Sequence, residues 1–141
     1  AKRRDGTIIA FCRDSGSPPG RVMASHSRDN GETWSAARDT DIPNPGSSLE
    51  VIVLRDGRWL IVYNDSTKSR DNLTVAISED EGKTWPLKRR LEPQSDGATS
   101  FSYPSVIQSA DGAVHITYTC KGPRGGRIRH GILQPGQLKT D

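Results

Sequence analysis

The sequence predicts an all-β chain made of about three four-stranded antiparallel blades of a β-propeller. Three observations carry this expectation. Apolar stretches are short and are punctuated by 14 Gly and 9 Pro; one turn motif occurs twice in the same phase; and an Asp-Gly step precedes a strand-like segment three times. Only 32% of the 141 residues are hydrophobic. Frequent Gly and Pro favour short strands joined by turns over long helices.

The repeat is read first, because self-similarity at a fixed period decides the architecture. Ser27-Arg-Asp29-Asn-Gly31-Glu-Thr33-Trp34 returns as Ser78-Glu-Asp80-Glu-Gly82-Lys-Thr84-Trp85, an offset of 78 − 27 = 51. Asp5-Gly6 precedes the strand Thr7 to Phe11, and Asp56-Gly57 precedes the strand Arg58 to Tyr63, again with 56 − 5 = 51. Asp111-Gly112 then precedes Ala113 to Tyr118, with 111 − 56 = 55. Three units result, about residues 1–42, 43–95 and 96–141. The middle unit predicts a strand over Leu49 to Leu54, a turn at Arg55-Asp-Gly, a strand over Trp59 to Asn64, a polar loop, a strand over Leu73 to Ser78, the repeated turn, and a short strand over Leu87 to Leu91. Radial repetition of such sheets protects sheet edges, and Gly and aromatic motifs recurring per blade are its cue.

The repeated turn has the S-x-D-x-G-x-T-W form of an Asp-box. Asp29 and Asp80 accept from N–H groups a few residues on, Gly31 and Gly82 supply positive φ, and the hydroxyls of Ser27, Thr33, Ser78 and Thr84 close the loop. Trp34 and Trp85 are expected to be buried anchors against the blade or between blades. The motif is structural, and too few ligand oxygens cluster there for a Ca²⁺ site.

Charge and cysteine usage exclude several classes. The net charge is +3, from 20 Lys+Arg against 17 Asp+Glu, and the basic clusters Lys2 to Arg4, Lys88 to Arg90 and Arg124 to Arg129 read as solvated turns and edges. A nucleic-acid surface would need basic residues along one face with interleaved aromatics, so none is expected. The longest apolar stretches, Val51 to Leu54 and Trp59 to Tyr63, fall far short of the roughly 20 residues of a membrane-spanning helix, so no membrane span is expected. Cys12 and Cys120 are in no metal-ligand spacing, and each is expected to be a buried thiol. No metal or cofactor is called for. The N-terminal Ala1-Lys-Arg-Arg-Asp-Gly has no signal-peptide apolar stretch, and the chain reads as beginning inside a repeat.

The repeat phase itself points to a site. Tyr103 lies 111 − 103 = 8 residues before Asp111 and Ser48 lies 56 − 48 = 8 before Asp56, both at the start of an innermost strand that would face a central channel. The first unit's equivalent, 5 − 8 = −3, falls before Ala1. Arg13 lies 13 − 5 = 8 residues after Asp5, where the later units have Asn64 and Thr119.

The two Asp-boxes, Leu54 to Gly57 and the stretch Phe101-Ser-Tyr103-Pro-Ser through Tyr118 resemble the sialidase (neuraminidase) superfamily, in particular its bacterial sialidase-like branch with Asp-box (BNR) repeats. That resemblance implies the C-terminal portion of a six-bladed ring. It also implies site roles: Arg13 and Arg70 are similar to two of three arginines that bind a substrate carboxylate, and Tyr103 is similar to the nucleophile. A planar guanidinium suits a carboxylate because it binds in a bidentate fork and stays charged. Tyrosine is a known exception to the two-carboxylate glycosidase scheme. Each residue also has a structural alternative: Arg13 paired with Asp14, Arg70 with Asp71 or Glu79, Tyr103 packed on the inner strand. Glu50 is expected to be structural, His115 to be packing or surface, and His130 to lie near a rim. Pro104 departs from the family's usual Tyr-Ser.

The function so implied is an exo-glycosidase acting on a terminal acidic sugar of a glycan, with this chain an incomplete part of the catalytic propeller. The first arginine, the assisting glutamate and the acid/base aspartate would then lie upstream. The alternative is a non-catalytic carbohydrate- or protein-binding propeller, and a third class is a hydrolase or lyase for uronic-acid polysaccharide. Open blade edges predict pairing with a missing N-terminal half or with a second copy, a possible homodimer.

Overall fold

The computed structural model describes residues 1–16, 19–93, 95, 97–134 and 136. It contains β1 (Ile8–Arg13), β2 (Arg21–Ser27), β3 (Arg38–Pro43), β4 (Glu50–Val53), β5 (Trp59–Tyr63), β6 (Leu73–Ser78), β7 (Leu87–Glu92), β8 (Ser100–Gln108), β9 (Val114–Gly122) and β10 (Gly125–Leu133). They form three antiparallel meanders: a first sheet β1-β2-β3, a second β4-β5-β6-β7 and a third β8-β9-β10. No helix among the described residues is long and apolar enough to cross a membrane.

Among the described residues, only the middle sheet has the four strands expected of every unit. In the first sheet the first position, that of β4 in the middle sheet, is held by residues 1–3, which bridge to β1 through Lys2 and Ile8, with Ala1 N–H donating to Ile9 O (3.0 Å) and Ile9 N–H to Ala1 O (2.8 Å). In the third sheet β8, β9 and β10 fill the first three positions. The third unit was expected to span 96–141, and both its first residue, Asp96, and its last five, 137–141, lie outside the described residues.

The core lies in the two seams between sheets. Trp59, Ile61 and Tyr63 join Ile9, Val22, Ile42 and Trp85 in the first seam, while Leu60, Val62, Leu73, Val75 and Ile77 join Phe101, Val106, Ile116, Tyr118 and Leu133 in the second. Every residue of β5 and β6 is therefore buried. This explains why Trp59 to Tyr63 is apolar throughout instead of alternating, since a strand covered on both faces has no solvent side.

Both Asp-boxes form the expected turn. Ser27 Oγ donates to Asp29 Oδ1 (2.7 Å) and accepts from Gly31 N–H (2.8 Å), while Thr33 donates through N–H (2.9 Å) and Oγ1 (2.5 Å) to the Asp29 carboxylate. Ser78, Asp80, Gly82 and Thr84 repeat the pattern at 2.7, 2.8, 2.8 and 2.6 Å. Gly31 and Gly82 take positive φ, 96° and 82°.

The two tryptophans differ, against the expectation that both are buried. Trp85 is 9% exposed and meets Phe11 of the first sheet edge-on at 6.1 Å, whereas Trp34 is 45% exposed and turns its indole N–H onto Gly31 O in its own turn (3.0 Å). The Asp-box indole of the second sheet is covered by the sheet that precedes it, and the first sheet has no predecessor among these residues. The cysteines divide for a related reason. Cys120 is buried in the second seam, but Cys12 is exposed, because Ile9 and Phe11 are the β1 residues that face the second sheet and Cys12 alternates away from them.

Candidate functional site

Strand direction puts Arg13, Arg70 and Tyr103 at one end of the sheets. Arg13 ends β1, Arg70 lies in the loop entering β6, and Tyr103 lies near the start of β8; the Asp-boxes follow β2 and β6 at the opposite end.

Tyr103 is the most unusual of the three. Its φ is +52°, and among the described residues the other non-glycine positions with positive φ, Asn30 and Glu81, belong to Asp-box turns. It sits in a bulge where the pairing of β8 with β9 shifts register between Ser102 and Ser105, and it is 62% exposed. Two donors of β8, one in the bulge and one just past it where the pairing has resumed, go to side chains outside the third sheet. Tyr103 N–H donates to Ser48 Oγ (2.8 Å), Val106 N–H donates to Glu50 Oε2 (2.9 Å), and Pro104, which is buried, has no N–H to satisfy. Glu50 is thus structural, as expected.

Arg70 connects the other two. Its carbonyl accepts from Phe101 N–H (2.7 Å), two residues before Tyr103, and its Nη2 donates to Gly46 O (3.1 Å). Gly46 lies against Asp14, the neighbour of Arg13: a Cβ built on Gly46 would stand 3.3 Å from Asp14 O. The Arg13 side chain is exposed and makes no hydrogen bond or ion pair among the described residues, so the pairing with Asp14 is not formed. An open groove at this end is lined by Asp14, Gly20, Asn44, Gly46, Thr67 and Lys68, and none of Arg13, Arg70 and Tyr103 is in its lining.

A buried amide holds this end together. Asn64 Oδ1 accepts from Ser47 Oγ (2.5 Å), and Asn64 Nδ2 donates to Asn72 O (2.5 Å) and Phe101 O (3.1 Å). One side chain at the end of β5 thereby fixes the approaches to β4, β6 and β8. Asn44 closes a turn with Ser47, donating to its carbonyl (3.0 Å) and accepting from its N–H (2.9 Å). Gly20 tolerates no side chain, since a Cβ there would lie 2.1 Å from Asn44 O.

Residues 1–116 match the BNR repeat-like domain family. The chain belongs to that family. Among curated relatives, this BNR chain is 24% identical over 136 residues to a sialidase of Paraclostridium sordellii, covering 91% of the chain and 33% of the relative. It is 27% identical over 124 residues to a sialidase of Micromonospora viridifaciens, covering 81% of the chain and 18% of the relative. The chain thus spans a third or less of these sialidases. Among solved structures, a leech intramolecular trans-sialidase complexed with 2,7-anhydro-Neu5Ac superposes with a TM-score of 0.78 at 19% identity, over 97% of this chain and 23% of that one. An α-L-arabinanase of Penicillium chrysogenum superposes at 0.66 with 18% identity, over 99% and 45%. A polysaccharide lyase, an ulvan lyase, superposes at 0.60 with 16% identity, over 96% and 40%. These structures share the fold with the BNR chain.

Hydrogen bonding in the two Asp-box turns of the BNR chain shows in the carboxyls that accept it. Hydrogen bonds from Thr33 and then Ser27 bring the Asp29 carboxyl down to about 2. Burial pushes Asp80 up, but hydrogen bonds from Thr84, Ser78 and Lys83 outweigh it and bring this carboxyl too down to about 2. Both groups are turn acceptors, Asp29 taking three hydrogen bonds and Asp80 four, which suits a structural role. Glu92 accepts from Tyr118 Oη (2.6 Å) and from Arg129 Nη1, joining β7 to the third sheet; burial pushes the Tyr118 phenol up to about 12, and Glu92 raises the Arg129 guanidinium. His115 and His130 stack with centroids 5.2 Å apart, Nδ1 and Nε2 at 3.0 Å, on the outer face of the third sheet. His130 therefore lies mid-strand and not at a rim near Tyr103. No group of three or more His, Cys, Asp or Glu able to hold a metal occurs among the described residues.

The roles of Ser48, Gly46 and Asn64 are not legible as such in the sequence. Ser48 and Asn64 stand out there only by repeat phase, as counterparts of Tyr103 and Arg13, and nothing in the sequence shows that Ser48 bonds to Tyr103 itself.

Proposed function

We propose that this BNR chain is part of a carbohydrate-active propeller of sialidase type, an exo-glycosidase for a terminal acidic sugar. The observation that carries the reading is Tyr103, an exposed phenol on a positive-φ backbone at the same end of the sheets as Arg13 and Arg70. Strained non-glycine backbone concentrates at functional sites, where the surrounding structure holds it. In this reading the arginines engage the sugar carboxylate, a base takes the Tyr103 proton, and Tyr103 Oη bonds to the anomeric carbon as the glycosidic C–O bond breaks and the leaving alcohol takes a proton from an acid supplied outside this chain. Arg70 already spends one N–H on Gly46 O, which fixes the guanidinium while leaving donors for a ligand. Further sheets complete the ring and bring the remaining catalytic groups.

The test is an NMR titration of the 141-residue chain with N-acetylneuraminate, glucuronate and galactose. The acidic sugars should shift amides around Gly46, Arg70 and Tyr103, galactose should not, and Arg70→Ala should abolish the response. Equal binding of galactose, or shifts confined to the Asp-box end, would overturn the reading. Binding by the complete protein without turnover of a fluorogenic sialoside would favour a lectin-like propeller instead.

A further inference from the structure

We infer that Ser48 and Glu50 are positioning residues that set the direction of the Tyr103 side chain across the seam between the second and third sheets. The inference rests on reading Tyr103 as the reacting group of the proposed site.

Local sequence opposes the conformation twice. An L-residue with a Cβ avoids positive φ, and a residue that precedes proline is biased toward extended backbone. Tyr103 nevertheless has φ +52° immediately before Pro104, so contacts outside the segment must hold it. The bulge offers few such contacts. Phe101 is anchored by Arg70 O, Ser105 returns to the ladder opposite Thr117, and Pro104 brings no donor. Two donors of β8 go to side chains of the second sheet: Tyr103 N–H, in the bulge, to Ser48, which lies just before β4, and Val106 N–H, where the ladder has resumed opposite Ile116, to Glu50, which begins β4. Ser48 and Glu50 are two residues apart, one at the approach to β4 and the other at its first position. Ser48 holds the bulge itself, and Glu50 holds the strand just beyond it.

Repeat phase sharpens the point. Ser48 occupies in the second unit the position that Tyr103 occupies in the third, and Ser48 does not share its positive φ. The conformation is therefore no property of the repeat. It arises where the innermost strand of one sheet lends side-chain acceptors to the innermost strand of the next. A phenol held in this way has its direction set by the second sheet although its own strand belongs to the third.

The experiment compares Ser48→Ala, Ser48→Thr and Glu50→Gln in the 141-residue chain by three readouts. These are the Tyr103 backbone chemical shifts, which distinguish left-handed from extended φ; amide exchange at Tyr103 and Val106; and the response of the Tyr103 ring signals to N-acetylneuraminate. Ser48→Ala should lose the left-handed signature and speed Tyr103 exchange about tenfold, as expected for losing a hydrogen bond of ordinary net strength. It should still bind the sugar through its arginines, but without a response from the Tyr103 ring. Ser48→Thr should restore all three readouts, and Glu50→Gln, which keeps an acceptor oxygen, should stay close to wild type. Should Ser48→Ala fail to fold, Ser48→Cys, a weaker acceptor of similar size, must give intermediate exchange. Unchanged shifts and exchange in Ser48→Ala or Ser48→Cys would overturn the clamp. A wild-type chain that binds no acidic sugar would instead sink the functional reading and leave the clamp to be judged on shifts and exchange alone.

Discussion

At the scale of single residues, the two Asp-box carboxylates tie stability to pH. Asp29 and Asp80 titrate near 2 in the folded chain, against about 3.9 for an unperturbed aspartate. A carboxyl with a depressed folded-state pKa stabilises the fold above its unfolded value, and that contribution drains away as pH falls through the folded one. Thermal melts should therefore be flat between pH 5 and 7 on this account and drop progressively between about pH 4 and pH 2. Asp29→Asn and Asp80→Asn should flatten that acid limb, and an unchanged limb in the double variant would contradict the assignment. These turns were legible in the sequence because Ser, Asp, Gly and Thr each perform there the hydrogen bonding or backbone bending that their chemistry favours. The backbone of Tyr103 was not, because its cause lies 55 residues away at Ser48.

At the scale of elements, the repeated turns are alike in hydrogen bonding and unlike in surroundings. A Cβ on Gly82 would meet Trp59 at 2.7 Å and Phe11 at 3.1 Å, whereas one on Gly31 would meet only Trp34, at 3.8 Å. Both alanine substitutions strain a positive φ, but only Gly82→Ala also wedges the first seam. Overpacking typically costs about 1–3 kcal/mol, so Gly82→Ala should exceed Gly31→Ala by roughly that margin in urea unfolding. The tryptophans should rank the same way: Trp85→Ala should cost about 3–5 kcal/mol, as large buried aromatics do, and Trp34→Ala well under half of that. Equal losses at the paired positions would show that both turns are packed alike. Sequence alone made the pairs equivalent, since repeat phase records the fold of a unit and not whether a neighbouring sheet covers it. For the same reason Cys12 was expected to be buried and is exposed, since strand alternation turns it away from the covered face that Ile9 and Phe11 occupy.

At the scale of the whole molecule, three sheets in series leave a terminal face. Ile107, Ile128 and Ile132 of the third sheet are exposed, and by strand pairing they occupy the positions that Ile52, Leu73 and Ile77 occupy in the covered face of the second. Exposed apolar sheet faces associate. We propose that in the complete protein this face is covered by further sheets of the same ring, and that the 141-residue chain by itself covers it with a second copy. Light scattering should then show association that Ile128→Lys and Ile132→Lys together disperse. A monodisperse monomer at high concentration would count against this. The order and bounds of β4 to β7 were predicted to within a residue or two, because turn chemistry and strand pattern agree along that unit. The meeting of Arg70 with Gly46 and Phe101 was beyond the sequence, because it depends on how sheets are set side by side.

The burial of β5 and β6 on both faces also bears on how the chain acquires its structure. A sheet with apolar side chains above and below has no soluble state of its own. It must gain its neighbours on either side almost as it forms, or present Trp59 to Tyr63 to other chains. The middle sheet, although it is the most complete of the three, is thus the one least able to fold first. In a chain made from its N-terminus, the first sheet is available to cover one side of it, while the residues that cover the other side, Phe101 to Leu133, follow only later.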